Sequence, residues 1–344
     1  MKNVKAIGFT EHLPINDSNS LFEFNHDVKE PVGHDLLVKV QAVSVNPVDV
    51  SVRGNGRGTL KNPKIIGWDA YGIVQAVGDE AKLFKPGDKV FYAGDFKRSG
   101  SNSEYQLVDE RIVGNAPKNV SVEQAAAMPL TSLTAYEALF EKMQIDINNK
   151  AENQKHNILI INGAGGVGSI ATQLAHLAGL NVIATASRLE SIKWTKENGA
   201  ELVLNHRKNL VDEYRKKTGK KYVDYILELN DIDGHWNEMC ELIKPSGIIG
   251  SITENHRPIN LRKLTKKRGT FTWEWMYSKS YYQTDDMRTQ HDILNKIAKM
   301  LDDGEIRSTL TQKLSPINSI NLREAHKLVE SHHMIGKVVL SGWN

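Results

Sequence analysis

Three glycines, Gly163, Gly165 and Gly168, stand within Asn162-Gly163-Ala164-Gly165-Gly166-Val167-Gly168, the spacing G-x-G-x-x-G. Such a turn leaves backbone N–H groups bare, and a pyrophosphate can approach where any Cβ would block it. Gly163, Gly165, Gly166, Val167 and Gly168 are therefore candidates for holding a dinucleotide. An Asp or Glu about 20 residues further on takes the ribose hydroxyls of NAD. Here that place reads Ala186-Ser187-Arg188, with no carboxylate. A guanidinium can fork onto a 2′-phosphate and a serine can add a hydroxyl, so Ser187 and Arg188 predict NADPH over NADH. Ser187 and Glu190 also read as a capping box for the next helix. Capping leaves unexplained a cation in that helix's first turn, where the dipole disfavours it.

The elements around the glycines give the motif its weight. Ile158-Leu159-Ile160-Ile161 is an apolar run suited to a strand buried on both faces. From Val167 the apolar positions Ile170, Ala171, Leu174, Ala175 and Ala178 recur at helical spacing, and Gly179 ends that helix. Val182-Ile183-Ala184 restarts a strand. A lone G-x-G-x-x-G is weak, but one placed between a buried strand and an amphipathic helix is specific. Strand and helix patterns keep alternating through Ile252, which predicts a doubly wound parallel sheet. Before it, the first 125 or so residues show short strands, frequent turns and no pattern of helix length, which suggests a closed or partly closed antiparallel barrel. A capping pattern at Ser121-Val122-Glu123-Gln124 opens a helical link, and the tail carries one helix from Asp286, another to Glu330, and a strand Lys337-Val338-Val339-Leu340.

Composition bounds the partners. A chain of 344 residues suggests two domains, and a net charge of +3 calls for neither nucleic acid nor membrane. With Cys240 the single cysteine, no intrachain disulfide is possible, and the expectation is a soluble protein of a reducing compartment, the cytoplasm. No apolar segment approaches the length of a bilayer span.

Several stretches together resemble the medium-chain dehydrogenase/reductase superfamily, in its zinc-free quinone-oxidoreductase-like branch. Val45-Asn46-Pro47-Val48-Asp49 is similar to the branch's N-P-x-D segment, and Gly67-Trp68-Asp69-Ala70-Tyr71-Gly72 stands where zinc-dependent members have G-H-E-x-x-G. Phe84-Lys85-Pro86-Gly87-Asp88-Lys89-Val90, the glycine motif, Asn198-Gly199-Ala200 and Gly336-Lys337-Val338-Val339-Leu340 complete a match running nearly end to end. The resemblance implies a Rossmann sheet inserted into a GroES-like, mostly antiparallel β-barrel, with a catalytic domain over 1–128, a nucleotide domain over 129–275 and a returning segment over 276–344. It departs from the zinc-dependent pattern: Asn46 and Trp68 replace thiolate and imidazole, and Asp69 alone cannot build a three-ligand site.

The resemblance further implies a zinc-independent, NADPH-dependent reduction of a quinone, enone or enal. Without a Lewis acid, alkoxide oxidation lacks support, whereas hydride delivery to a conjugated acceptor spreads charge into an enolate or phenolate that hydrogen-bond donors can hold. Asn46, Asp69 and Thr134 are the catalytic candidates, with Asn46 beside the nicotinamide as an amide donor or, on turn chemistry, simply a residue before proline. Thr131 and Thr134 match positions at the nicotinamide–ribose end, or bond back to their own helix. His206 and Arg207 match the 2′-phosphate region, and Ser251-Ile252-Thr253 ends a strand at the sheet's carboxyl edge. Tyr71, Tyr92, Trp273 and Trp275 are the substrate-pocket candidates. The segment Phe271–Met276 either walls that pocket or is an edge strand pairing two subunits into a homodimer. Two alternatives stay open. An enoyl-thioester reductase would carry a proton-donating tyrosine after N-P-x-D, and none lies in Val50–Leu60. An NADPH-regulated RNA-binding protein would use the basic run Leu261–Arg268, which lacks interleaved aromatics.

Overall fold

The computed structural model describes residues 2–344. The chain opens with β1 (Lys2–Glu11), β2 (Phe22–Val28), β3 (Asp35–Ser44), helix α1 (Pro47–Gly54), β4 (Thr59–Ile65), β5 (Ala70–Val77), β6 (Lys89–Tyr92), β7 (Tyr105–Asp109) and β8 (Val113–Asn115). Helices α2 (Val122–Ala126) and α3 (Pro129–Tyr136) follow, and α3 runs on into a π-helical turn, Glu137–Lys142. Then come α4 (Lys150–Asn153), β9 (Asn157–Ile161), α5 (Gly166–Leu177), β10 (Asn181–Thr185), α6 (Leu189–Glu197), β11 (Leu202–Leu204) and α7 (Leu210–Thr218). The alternation ends with β12 (Val223–Glu228), α8 (Ile232–Leu242), β13 (Ile243–Ser251), α9 (Arg262–Thr265) and β14 (Thr270–Trp273). The tail is α10 (Ser278–Tyr282), α11 (Thr289–Asp302), β15 (Leu310–Leu314), α12 (Ser319–Glu330) and β16 (Lys337–Ser341).

Two compact units result: Met1–Leu133 with Tyr277–Asn344, and Thr134–Met276. In the second, six strands lie in the order β11-β10-β9-β12-β13-β14, all paired in parallel. β9 is buried throughout, as its apolar run requires, and Leu159, Ile161, Ile183, Tyr214, Ile226, Trp236 and Ile249 belong to one core on the sheet. The first unit has a sheet ordered β15-β16-β3-β5-β6-β8, antiparallel except for β15 with β16, and a second sheet β2-β1-β4. Its C-terminal strand pairs with β3 through Val339↔Ser44, and β3 pairs with β5 through Val43↔Ala70. Those two registers bring the N-P-x-D segment, Asp69 and Lys337 to one end of neighbouring strands.

Helix α1 corrects the expectation that no helix interrupts the barrel strands. Its inward residues are Asp49 and Arg53, not apolar side chains, so it carries no hydrophobic stripe to read. Asn46 caps it, Pro47 occupies its first turn, and Arg53 is held by Glu330, by Leu13 O and by His326. Pro129 likewise begins α3, where proline is tolerated, and does not break it.

Candidate functional site

The strand β9 turns into α5 over four residues, and the glycines there and at the start of the helix answer to steric demands. A Cβ on Gly168 would lie 2.1 Å from Asn162 O and 2.8 Å from Gly163 Cα. One on Gly163 would meet Ala184 Cβ at 2.7 Å and Thr195 Cγ2 at 2.9 Å. Gly165 faces only the Asn162 side chain, with Nδ2 at 2.9 Å from such a Cβ. So Gly168 lets the helix start close against the strand's exit, Gly163 lets the turn sit on β10 and α6, and Gly165 lies against a side chain and no backbone. Asn162 takes φ +70°, and its N–H donates to Thr185 Oγ1 at 2.8 Å. Half-buried Gly166 and Val167 form the first turn of α5, whose leading N–H groups have no partner within the helix. The turn fits a pyrophosphate, since it leads into a helix N-terminus of bare glycine backbone.

β9, β10 and β11 are neighbours, so their carboxyl ends set Gly163, Arg188 and His206 along one crest. Arg188 itself is the N-cap residue of α6, and Ser191 Oγ accepts its N–H at 3.1 Å. The Ser187–Glu190 capping box is therefore corrected: α6 begins one residue later than a Ser187 cap requires, so Ser191 and not Glu190 stands at the third helical position and takes that role. Ser187 is half-buried, His206 Nδ1 lies 3.2 Å from Thr185 Oγ1, and Arg207 is exposed. Burial, with help from His235 and Arg207, pushes the His206 imidazole below its ordinary range. Further along the crest, Ser251 Oγ donates to Glu228 Oε2 at 2.9 Å and Thr253 Oγ1 to the same oxygen at 2.5 Å. Glu228 Oε1 also takes the Asn230 and Asp231 N–H groups, both at 2.5 Å. Glu228, fully buried, orders these loops, and the sequence reading missed it. Ile252 is half-buried beside it.

The first unit holds a closed polar cluster. Asn46, Asp49, Asp69 and Lys337 are each 3% exposed or less. Asn46 Nδ2 donates to Asp69 Oδ2 at 2.8 Å, and Lys337 Nζ donates to the same oxygen at 3.0 Å and to Asn46 Oδ1. Leu130 N–H gives the other Asp69 oxygen a bond of 2.8 Å. Burial pushes the Asp69 carboxyl up, while Lys337, the Leu130 N–H and Asn46 pull it back. Asp49 accepts the Asn46 N–H at 2.8 Å, and burial pushes its carboxyl up to about 7. Trp68 stacks on Phe96 with ring centroids 5.2 Å apart, and Tyr277 packs against both at 6.1 and 5.3 Å. Burial and the charges of Asp49 and Asp69 raise the Tyr277 phenol well above its ordinary value.

These features can be set beside known proteins. Residues 33–130 match the alcohol dehydrogenase GroES-like domain model, and 166–292 match the zinc-binding dehydrogenase model. A zinc-type alcohol dehydrogenase-like protein of Staphylococcus epidermidis is 44% identical over 98% of this chain and 99% of its own length. The crystal structure of a putative zinc-dependent alcohol dehydrogenase protein from Rhizobium etli is 43% identical, with a TM-score of 0.93 over 100% of this chain and 99% of that one. Escherichia coli quinone oxidoreductase complexed with NADPH is 25% identical, with a TM-score of 0.83 over 98% and 99% of the two chains. The chain belongs to the medium-chain dehydrogenase/reductase superfamily.

Zinc, which the superfamily's model name implies, does not fit this member's residues. At the matching places stand a carboxamide and an indole, and the one carboxylate, Asp69, already holds an ammonium at 3.0 Å. A second cation would have to displace Lys337 and would find no thiolate or imidazole there. Among the described residues no three His, Cys, Asp or Glu side chains group at ligand spacing.

The remaining candidates of this dehydrogenase/reductase chain are placed as follows. Thr131 Oγ1 bonds back to Met128 O at 3.2 Å, and Thr134 is buried in the same helix. Tyr71 and Tyr92 lie on β5 and β6, both buried; burial pushes each phenol up, and Tyr92 Oη has no hydrogen-bond partner among the described residues. Trp273 and Trp275 are 42% and 39% exposed at the edge strand of the parallel sheet. The basic run is partly committed: Lys267 Nζ donates to the Cys240, Glu241 and Ile243 carbonyls at 2.7–2.8 Å, closing the end of α8. Lys337 and Tyr277 escaped the sequence reading, although Lys337 lay inside a stretch quoted for its likeness.

Proposed function

We propose that this chain is an NADPH-dependent reductase of conjugated carbonyl acceptors, quinones, enones or enals, acting without a metal. One observation carries the reading: a glycine turn at a helix N-terminus that tolerates no added Cβ without displacement, with Arg188 and not a carboxylate after the neighbouring strand. The NADPH complex of the Escherichia coli relative supports the coenzyme assignment. Gly163–Gly168 and the start of α5 would hold the pyrophosphate, and Ser187, Arg188, His206 and Arg207 the 2′-phosphate. When bound, the reduced nicotinamide supplies the hydride.

The chain's own residues do the rest. Ser251 and Thr253, fixed by Glu228, would order the loop at the nicotinamide end of the crest. Asn46 would present an amide hydrogen to the acceptor's carbonyl oxygen, where negative charge develops. Asp69 holds that amide in place, and the apolar faces of Trp68, Phe96 and Tyr277 exclude water and favour flat, electron-poor acceptors. We further place the protein in the cytoplasm, and infer that it forms a homodimer through β14, whose outer edge is unpaired among the described residues and which ends at half-exposed Trp273, with half-exposed Trp275 just beyond it. Among the described residues no helix is long and apolar enough to cross a membrane.

The test is loss of NADPH absorbance against a panel of benzoquinones, cyclohexenone, 2-hexenal and simple aldehydes, with metal analysis of the same sample. Turnover of conjugated acceptors by metal-free protein is expected. Turnover confined to saturated aldehydes or alcohols, tracking zinc content, would overturn the reading.

A further inference from the structure

Lys337 is 3% exposed, and its ammonium has three hydrogens and three acceptors: Val45 O at 3.2 Å, Asp69 Oδ2 at 3.0 Å, and Asn46 Oδ1. Asn46 Nδ2 has two hydrogens. One meets Asp69 Oδ2 at 2.8 Å; the other has only Ser44 O at 3.4 Å and Trp68 O at 3.5 Å, beyond the range of a good N–H···O bond. Lysine, carboxamide and carboxylate thus form a closed three-member ring. Turning the carboxamide over would aim its N–H groups at the ammonium and its oxygen at the carboxylate, replacing two attractions by two repulsions. The ring therefore dictates which way the amide points, and it leaves one N–H weakly engaged.

We propose that Lys337 is a positioning residue: its ammonium fixes and polarises the Asn46 carboxamide so that the second amide N–H is offered to the acceptor oxygen. Withdrawal of electrons through Oδ1 strengthens the N–H as a donor, as it does along any hydrogen-bonded chain. Register makes the arrangement: β16 delivers Lys337 and β3 ends just before Asn46, because Val339 pairs with Ser44. A cation thus acts on the reacting oxygen one side chain removed, where a bound metal would act directly. This rests on the proposed reduction.

The experiment compares the parent with Lys337→Met, Asp69→Asn and the double variant. Three readouts are taken: melting temperature, kcat and KM for cyclohexenone with NADPH, and the absorbance of 4-nitrophenol added with NADP+. 4-Nitrophenolate places a delocalised oxyanion where the enolate oxygen would lie, and needs no turnover. Lys337→Met should melt lower, because it strands a buried carboxylate. The double variant should recover most of that melting temperature yet keep kcat about 10- to 100-fold below the parent, with KM moved less than about threefold. Asp69→Asn, which retains the ammonium–carboxamide bond, should keep more kcat than the double variant. The parent should raise the phenolate fraction of the dye, and both Lys337 variants should lose that shift. If kcat and the dye shift recover together with melting temperature in the double variant, Lys337 is only structural and the proposal falls. A parent that reduces no acceptor but shows the lysine-dependent dye shift would sink the proposed reaction and leave the positioning role standing. A parent with neither would sink both.

Discussion

The three motif glycines meet different neighbours, so alanine at each should separate folding from binding. At Gly168 the new Cβ would lie 2.1 Å from Asn162 O, a backbone atom held in a turn whose own N–H is bonded to Thr185. Relief needs a displacement of about 1 Å between strand exit and helix start, and a misplacement of that size costs about 100-fold in a positioned site. Gly168→Ala should therefore lose both stability, about 1–3 kcal/mol for an overpacked contact, and NADPH affinity. At Gly163 the neighbours are Ala184 and Thr195 side chains at 2.7 and 2.9 Å, so the cost falls mainly on packing. At Gly165 the one neighbour is the Asn162 amide, which can rotate. Gly165→Ala should unfold in urea within about 0.5 kcal/mol of the parent, yet bind NADPH at least about tenfold more weakly, because its methyl and the displaced Asn162 amide would crowd the turn where the proposed pyrophosphate approaches the backbone. Urea melts and titration of NADPH fluorescence decide the matter. Parent-like NADPH binding by a folded Gly165→Ala protein would refute the cradle.

Arg188→Ala should weaken NADPH by about 10- to 150-fold, the worth of charge-assisted bonds of about 1.5–3 kcal/mol, and leave NADH nearly unchanged; equal losses in calorimetric titrations with both coenzymes would show that the guanidinium does not read the phosphate. Glu274 is 4% exposed, its Oε2 has no hydrogen-bond partner among the described residues, and burial together with Glu137 pushes its carboxyl up to about 9. The folded protein therefore keeps a proton there that the unfolded chain releases near the ordinary carboxyl value, so this group's contribution to stability falls as pH rises from about 4.5 to about 9. Glu274→Gln should match the parent near pH 5 and exceed it by about 1–3 kcal/mol near pH 9; parallel stability–pH curves would contradict this. Replacing Trp273 and Trp275 by Ser should shift the protein toward monomer in sedimentation, and a parent that is monomeric at all concentrations would remove the β14 pairing.

What was legible in the sequence follows from what each element buries. β9 and α5 bury apolar side chains at strand and helix periods, so both could be read with the glycines between them. α1 buries Asp49 and Arg53, and no periodicity of apolar residues marks such a helix. The π-helical turn Glu137–Lys142 hides for a related reason, since its buried Glu137 interacts with Glu274, distant in the chain and just past the end of β14. Individual site positions divide the same way. Gly163–Gly168 and Arg188 act through local geometry and can be recognised locally. Lys337, Glu228 and Tyr277 act through partners 291, 23 and about 200 residues away in the chain, and only strand register brings those partners together. Asn46 could be singled out, but not the ring of Asp69 and Lys337 that sets its orientation.

Hydride transfer from NADPH without a metal is tested most directly by following the label. Metal-analysed, zinc-free protein is given NADPH carrying deuterium at C4 of the nicotinamide together with cyclohexenone, and the product is examined by mass spectrometry and NMR. The account predicts cyclohexanone with one deuterium at the β-carbon, formed at a rate unaffected by chelator. Unlabelled product, no product, or formation that appears only when zinc is added would contradict it.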